Sequence, residues 1–422
     1  MHSRPSEQNA QLCLLSQIEY ISNHSIMTKK ILRARRNGKP AVLSMFSGCG
    51  GMDLGFREAG FEIVWANDIM SDACETYRKN IGEIIEGDIG MLDPPDIKNL
   101  DVLIAGFPCQ AFSNAGSRGG IMDPRGILYR QCIRFIETLK PKVVLFENVR
   151  GLLSIPGMEK RLIEEICDDL VDHGYEVHMK LVNASHYGVP QNRIRVIIVG
   201  ISKASDIKGF RFPEHVIGKD LSIGSLVDPP RGIANRNDFL KLNPQAIALG
   251  SLVPEGGSWK DIPYNKLPER LKKIRKDMRK YRWPNFFRRF HRTETAGTIT
   301  AAFKPENAGV WHPFRDRVLS AREIARIQSF PDNFEFVGSS VKAIYEMIGN
   351  AVPPLLGKTM AEAIYKYLAG AEADGPIRNY FDVRALGEPI RPGSVEMIYL
   401  PLDAKKRTMG TKLQDSCLSI AA

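Results

Sequence analysis

The stretch 41–56, "AVLSMFSGCGGMDLGF", sets a short apolar run directly against four glycines, Gly48, Gly50, Gly51 and Gly55. Such a run, closed by a glycine turn and followed by helix-type spacing, opens a strand–turn–helix unit of a parallel sheet. Glycines at that turn let the backbone approach a ligand closely and leave the helix N-terminus facing it. The spacing is not Gly-x-Gly-x-x-Gly, so the turn by itself is weak evidence for any one ligand.

What lies downstream strengthens it. Asp68 closes a second apolar run, "EIVWAND", 20 residues beyond Gly48. An acid at that offset can bind the two hydroxyls of a ribose. A third run ends in "EGDIG", which puts Asp88 at a strand tip where it can reach an adenine edge, with Ile69 and Ile89 placed to sandwich the ring. A nucleoside-containing cofactor follows, although these features do not separate a dinucleotide from S-adenosylmethionine. The competing reading is a tight turn with two surface acids.

The same rhythm continues through "DVLIAGF", "KVVLFE", "YEVHMKLVN" and "RVIIVG", with helix-like stretches such as "LYRQCIRFIETL" between them. Seven strand candidates between Ala41 and Gly200 predict an α/β fold with a mainly parallel sheet covered by helices. Residues 206–292 break the pattern with prolines, short apolar pieces and a basic stretch, and are expected to form a separate module. Helical periodicity returns in "SAREIARIQSF" and "VKAIYEMIGNAVPPLLGKTMAEAIYKYLAG". The expected division is therefore an N-terminal extension 1–36, a sheet domain 37–205, the inserted module 206–292, a return segment 293–375 that completes the sheet domain, and a tail 376–422.

At 422 residues and 43% hydrophobic, the chain exceeds what one core usually holds, consistent with two domains. The formal charge of +10 calls for a polyanionic partner, and it is local: from Lys260 to Arg292, thirteen Lys and Arg stand against three Asp and Glu. Tyr281, Trp283, Phe286, Phe287 and Phe290 are interleaved with that charge. Seven scattered cysteines without a Cys-x-x-Cys pair indicate neither a disulfide framework nor a zinc site. No run approaches the ~18 apolar residues of a membrane span, so a cytoplasmic protein is expected.

The chemistry concentrates in "LIAGFPCQAFSNAG", residues 103–116. A buried strand ending on Pro108, Cys109 and Gln110 delivers a thiol to the sheet edge, where parallel sheets present their reactive groups. The following strand, "KVVLFENVRG", delivers Glu147 and Asn148, and a carboxyl beside that thiol is suited to donate a proton. In "QNRIRV" the residues Gln191, Arg193 and Arg195 alternate onto one face of a strand, a set that suits a phosphate or a base carbonyl. The glycines of the loop behind Cys109, at 116, 119, 120 and 126, would let it close over a bound substrate.

Together, "FSGCGGMDLGF", "NDI", "GDI", "GFPCQAFS", "DPRGILY", "FENVRG", "QNRIRV", "RTETAGTITA" and "IGNAVPP" resemble, in order, the motifs of the bacterial DNA (cytosine-5) methyltransferases. The resemblance covers roughly Ala41 to Gly370 and implies a Rossmann-like S-adenosylmethionine-dependent methyltransferase domain with a smaller DNA target-recognition domain at 206–292. It makes Cys109 the nucleophile and Glu147 the acid that engages the base, with Arg193 and Arg195 around the cytosine and its phosphate. Gln110, Ser113 and Gln191 would be DNA contacts or their supports. Phe46, Gly48, Gly50, Gly51, Asp68, Ile69, Asp88, Ile89, Pro108, Leu128 and Asn350 would surround S-adenosylmethionine. It further implies double-stranded DNA as substrate, a monomer, no metal, and a cognate restriction endonuclease as functional counterpart. Two other readings are a regulator that binds cofactor and DNA without turnover, and a relative acting on transfer RNA. Cys109 and Glu147 argue against the first, and the missing Cys-Phe-Thr after Glu-Asn-Val against the second. A nicotinamide dehydrogenase leaves Pro-Cys-Gln and the basic module unexplained.

Overall fold

The computed structural model describes residues 37–108, 128–157, 161–205, 207, 209–277, 286–302 and 310–371. Cys109, Gln110, Ser113 and the glycine-containing loop to Gly126 lie outside the described residues, as do Tyr281, Trp283 and both terminal segments.

All seven expected strands form one sheet. In chain order the elements are β1 (Ala41–Met45), α1 (Gly51–Glu58), β2 (Glu62–Asp68), α2 (Ser71–Asn80), β3 (Ile85–Glu86), β4 (Val102–Ala105), α3 (Leu128–Leu139), β5 (Val143–Val149), α4 (Leu162–Asp172), β6 (Tyr175–Asn183) and β7 (Ile194–Ser202). The strand order is β3-β2-β1-β4-β5-β7-β6, parallel except for β7, which runs antiparallel to both neighbours. The order reverses between β1 and β4, which creates the crevice at the strand carboxyl ends where open α/β sheets bind ligands. The glycine turn leaves one strand there, and the run to Cys109 leaves the other.

Strand alternation builds two cores. Val42, Val102 and Val143 are cross-strand partners facing one side, where they join Phe56, Tyr77, Leu356 and Met360. Leu43, Leu103 and Val144 face the other, against Tyr129, Phe135, Ile163 and Ile166. Both sides of the sheet are covered, which is why its strands read as unbroken apolar runs rather than as alternating ones.

The remaining elements are α5 (Pro244–Gly250), α6 (Glu269–Lys276), the two-residue strands β8 (Arg288–Arg289) and β9 (Val310–Trp311), α7 (Ala321–Ile327), α8 (Val341–Asn350) and α9 (Pro354–Leu368). The last returns to the sheet domain and lies on α1. A single apolar cluster runs from Ile223 through Trp259, Phe287 and Trp311 to Ile348, so the 206–292 module and the first part of the return segment share a core. Between Lys203 and Asn243 the described residues hold no helix or strand. Buried arginines satisfy main-chain carbonyls that regular structure would otherwise pair. Arg289 donates to Gly250, His312 and Arg315, and Arg322 to Ala234, Pro331 and Phe334.

Candidate active site

The crevice is assembled from strand tips. β1 is followed at once by Phe46, whose φ of 55° puts a bulky residue in the left-handed region, a strained conformation of the kind that gathers at ligand sites. The turn then folds under Asp68: the Gly48 N–H donates to Oδ2 at 2.7 Å and the Met70 N–H to Oδ1 at 2.9 Å. Burial pushes the Asp68 carboxyl up, and these backbone donors pull the other way. A side chain at Gly48 would meet nothing within 4 Å, so the turn borders open space.

Gly51 and Gly55 also face the chain's own return segment. A Cβ on Gly51 would lie 2.2 Å from the Val352 carbonyl oxygen, and one on Gly55 would lie 2.3 Å from the Lys358 nitrogen. These glycines admit the chain's own return segment, which thereby becomes part of the crevice wall. Cys49, in the same turn, is buried, and its thiol is pushed up to about 12 by that burial and by the Asp68 charge. It is an inert packing residue.

The expected adenine contacts divide by environment. Asp88 is exposed and accepts the Gly90 N–H at 2.9 Å, which fixes the chain at the β3 tip. Ile89 is buried in the core beneath it, whereas Ile69 is 64% exposed. An isoleucine left bare at a strand tip beside a desolvated carboxylate fits an apolar ring better than water. Pro108 and Asn350 are exposed, and Leu128 is half-buried at the start of α3. The residues present therefore fit a nucleoside-bearing group: hydroxyl acceptors at Asp68, an apolar wall at Ile69, and unencumbered backbone at Gly48.

The β4 and β5 tips are locked together. The Asn148 amide donates to the Phe107 carbonyl at 2.9 Å, so the residues that lead into Pro108 and Cys109 are held beside the carboxylate of Glu147. Arg195 pairs with Glu147 through Nε and Oε1 at 2.8 Å, both groups being nearly buried. The Arg195 guanidinium is pushed down by burial, against the opposing pull of Glu147. Oε2 faces the β4 tip, where Gly106 leaves room: a Cβ there would sit 3.7 Å from it.

Two other expectations change. Arg193 and Gln191, 1% and 0% exposed, do not face the crevice. Arg193 donates to the carbonyls of Ile299, Gly349 and Ala351, while Gln191 bonds Gln328 and the Ile299 N–H. The alternation that placed them with Arg195 is real, but they precede the strand proper, where the return segment covers that face. Gln328 was not visible as a site residue, because a lone glutamine after a helix carries no signature. The stretch "RTETAGTITA" runs beside 190–192, with Asn192 N–H to the Ala296 carbonyl at 2.7 Å and Thr298 Oγ1 to the Asn192 carbonyl at 2.7 Å.

One group among the described residues has metal-ligand proximity: Asp228, His312 and Glu323. Its two carboxylates are already engaged by arginines, whereas Nε2 of His312 is buried without a hydrogen-bond partner. Arg317 binds both Glu323 oxygens at 2.7 and 2.8 Å and reaches Asp228 at 3.1 Å, and Arg315 binds Asp228 at 2.9 Å. His312 accepts the Phe314 N–H on Nδ1, which leaves its Nε2 proton facing the two carboxylates at 3.5 and 3.6 Å. This is a charge-balanced lock within the module core. Among the described residues no helix is long and apolar enough to cross a membrane.

Comparison with known proteins identifies the family. The model of the C-5 cytosine-specific DNA methylases matches residues 41–366. The chain is 41% identical over 331 residues to the type II methyltransferase M.NgoFVII of Neisseria gonorrhoeae, covering 75% of this chain and 84% of that one. It is 36% identical over 351 residues to M.Eco47II of Escherichia coli, covering 79% and 80%. Among solved structures, Dnmt2 of S. pombe superimposes with a TM-score of 0.58 at 20% identity over 78% of this chain and 99% of that one, a likeness of fold. The chain belongs to the C-5 cytosine-specific DNA methylase family and is a DNA cytosine-5 methyltransferase of the restriction-modification type.

Proposed function

We propose that Cys109 adds to carbon 6 of a cytosine flipped out of double-stranded DNA, while Glu147 engages ring nitrogen 3. Carbon 5 is too poor a nucleophile to take a methyl group unaided. Thiolate addition at carbon 6 pushes electrons into the ring, and a proton supplied at nitrogen 3 stabilises the resulting enamine. S-adenosylmethionine supplies the methyl group. Asp68, Ile69, Asp88, Ile89, Phe46, Gly48, Gly50, Gly51, Pro108, Leu128 and Asn350 would hold it. Arg195 keeps Oε1 of Glu147 occupied and so aims Oε2 at the base. Loss of the carbon 5 proton then expels the Cys109 thiolate. No step calls for a metal ion.

The observation that supports this reading is the Asn148–Phe107 bond, which ties Phe107, two residues before Cys109 in the sequence, to the strand tip that carries Glu147. In the same reading Gln110 and Ser113 contact DNA, and the loop to Gly126 closes over the flipped base. Residues 206–292 read the target sequence, and residues 37–205 with 293–375 carry the chemistry. The enzyme acts as a cytoplasmic monomer that protects DNA from a cognate endonuclease.

The test uses labelled S-adenosylmethionine and plasmid DNA. Cys109→Ala should abolish transfer, and Glu147→Gln should lower it by about 10²–10⁴-fold, the usual worth of a general acid. An oligonucleotide carrying 5-fluorocytosine should trap an adduct at position 109. Equal labelling by wild type and Cys109→Ala would reject the nucleophile.

A further inference from the structure

Asn350 sits between peptide groups that are individually held. The carbonyls of Gly349 and Ala351, on either side of it, accept from Nη2 of Arg193 at 2.9 and 3.0 Å. The preceding carbonyl, Ile348, accepts from Gln328 at 2.7 Å, and Gln328 in turn accepts from Gln191 at 2.9 Å. The same two residues take both backbone groups of Ile299: its N–H donates to Gln191 at 2.9 Å, and its carbonyl accepts from Nη1 of Arg193 at 2.8 Å. Gly349 lies flat on this segment, since a Cβ there would be 2.4 Å from the Ala301 nitrogen.

A helix end leaves its last carbonyls without intrahelical partners, and at the buried end of α8 they need donors. A guanidinium supplies several donors and a charge of the sign that a helix C-terminus favours. The cost is a cation held away from water, and burial together with the neighbouring Arg195 pushes Arg193 well down from its ordinary value. A single cap would suffice to end a helix. Here one buried cluster instead joins four pieces of chain: the start of β7, two residues from Arg195; the 296–300 segment that leaves the DNA-reading module; the end of α7 at Gln328; and the turn carrying Asn350. That turn abuts the glycine turn, with Ala351 Cβ 3.4 Å and the Val352 carbonyl 2.2 Å from the Cβ position of Gly51.

We propose that Arg193 and Gln191, acting with Gln328, are positioning residues for the cofactor: they hold the Asn350 turn against the glycine turn without touching the cofactor themselves. This rests on the reading that S-adenosylmethionine binds along the β1 and β2 tips with Asn350.

Three variants test it: Arg193→Lys, Gln328→Met and, as a control on the cofactor site itself, Asp68→Ala. For each, KM for S-adenosylmethionine, kcat, equilibrium binding of S-adenosylmethionine and of DNA, and Tm are measured. Arg193→Lys should raise KM and Kd for S-adenosylmethionine by about tenfold or more, with kcat at saturation within about threefold and DNA affinity unchanged. Gln328→Met should move the same constants the same way by a smaller factor, and it decides the question if Arg193→Lys does not fold. A lower Tm with unchanged cofactor affinity would overturn the proposal, as would a fall in kcat without a rise in KM. If Asp68→Ala binds S-adenosylmethionine like wild type, the location of the cofactor is wrong. If it loses binding while the other two variants keep it, the location stands and the positioning role fails.

Discussion

Asp53 is fully buried on α1, accepts the Tyr77 hydroxyl at 2.8 Å on Oδ1, and has no partner for Oδ2. Burial drives its carboxyl up to about 6, and the Tyr77 bond only partly opposes this. The contact fastens α1 to α2 behind the glycine turn, but it does so best as a neutral acid. Because the folded value lies above the unfolded one, the contribution is fully present below about pH 4 and is lost as pH rises through about 6. Asp53→Asn keeps an acceptor for Tyr77 and carries no charge. It should match wild type in urea unfolding at pH 4 and exceed it at pH 8 by up to about 3 kcal/mol, the equivalent of two pKa units. Parallel stability-against-pH curves for the two proteins would reject the assignment. Nothing in the sequence marks Asp53 for this role, because its burial depends on Tyr77 arriving from the next helix.

Among elements, the contact between α1 and α9 separates glycines that are closely packed from Gly48, which borders open space. Gly55→Ala would drive a methyl to 2.3 Å from the Lys358 nitrogen and 2.5 Å from the Pro354 oxygen. Backbone cannot swing aside as a side chain can, so the helices must part, and overpacking of this kind costs about 1–3 kcal/mol or more. Gly48→Ala meets no neighbour within 4 Å and carries only the strain of a φ of 55°, about 1 kcal/mol. The expected pattern in urea unfolding is a large loss for Gly55→Ala and a small one for Gly48→Ala, while binding of S-adenosylmethionine weakens more than stability in Gly48→Ala. The reverse ranking would mean that the turn is not packed as described. The seven strands were legible because each is a local apolar run. The packing of the glycines at 51 and 55 was not legible, because Val352 and Lys358, which they face, lie about 300 positions away in the chain, a distance no local pattern spans. For the same reason Arg193 and Gln191 read as one face with Arg195, and only the folded return segment shows what covers them.

For the whole molecule the open quantity is how much of the positive charge reaches DNA. The count from Lys260 to Arg292 overstates it. Arg289 is buried against three carbonyls, Arg288 is paired with Glu294, Arg292 with Glu255, Lys272 with Glu269, and Arg275 donates to the Ile262 carbonyl. Phe287 and Phe290 belong to the core for the same structural reason: an irregular module recruits its arginines and aromatics to hold itself together. Among the described residues Lys260, Lys266, Arg270, Lys273 and Lys276 are exposed, while Arg279, Lys280 and Arg282 lie outside them. If those five meet phosphates, log K against log salt should have a slope of about −4 to −5, since each neutralised phosphate contributes about −0.9. Replacing Lys273 and Lys276 by Gln should flatten it by about 2 while leaving the preferred sequence unchanged, because phosphate contacts position and base contacts specify. Filter-binding titrations of wild type and the double variant from 50 to 300 mM salt measure both slopes. Identical slopes would place the DNA on another face, and a changed sequence preference would make these lysines readers of bases.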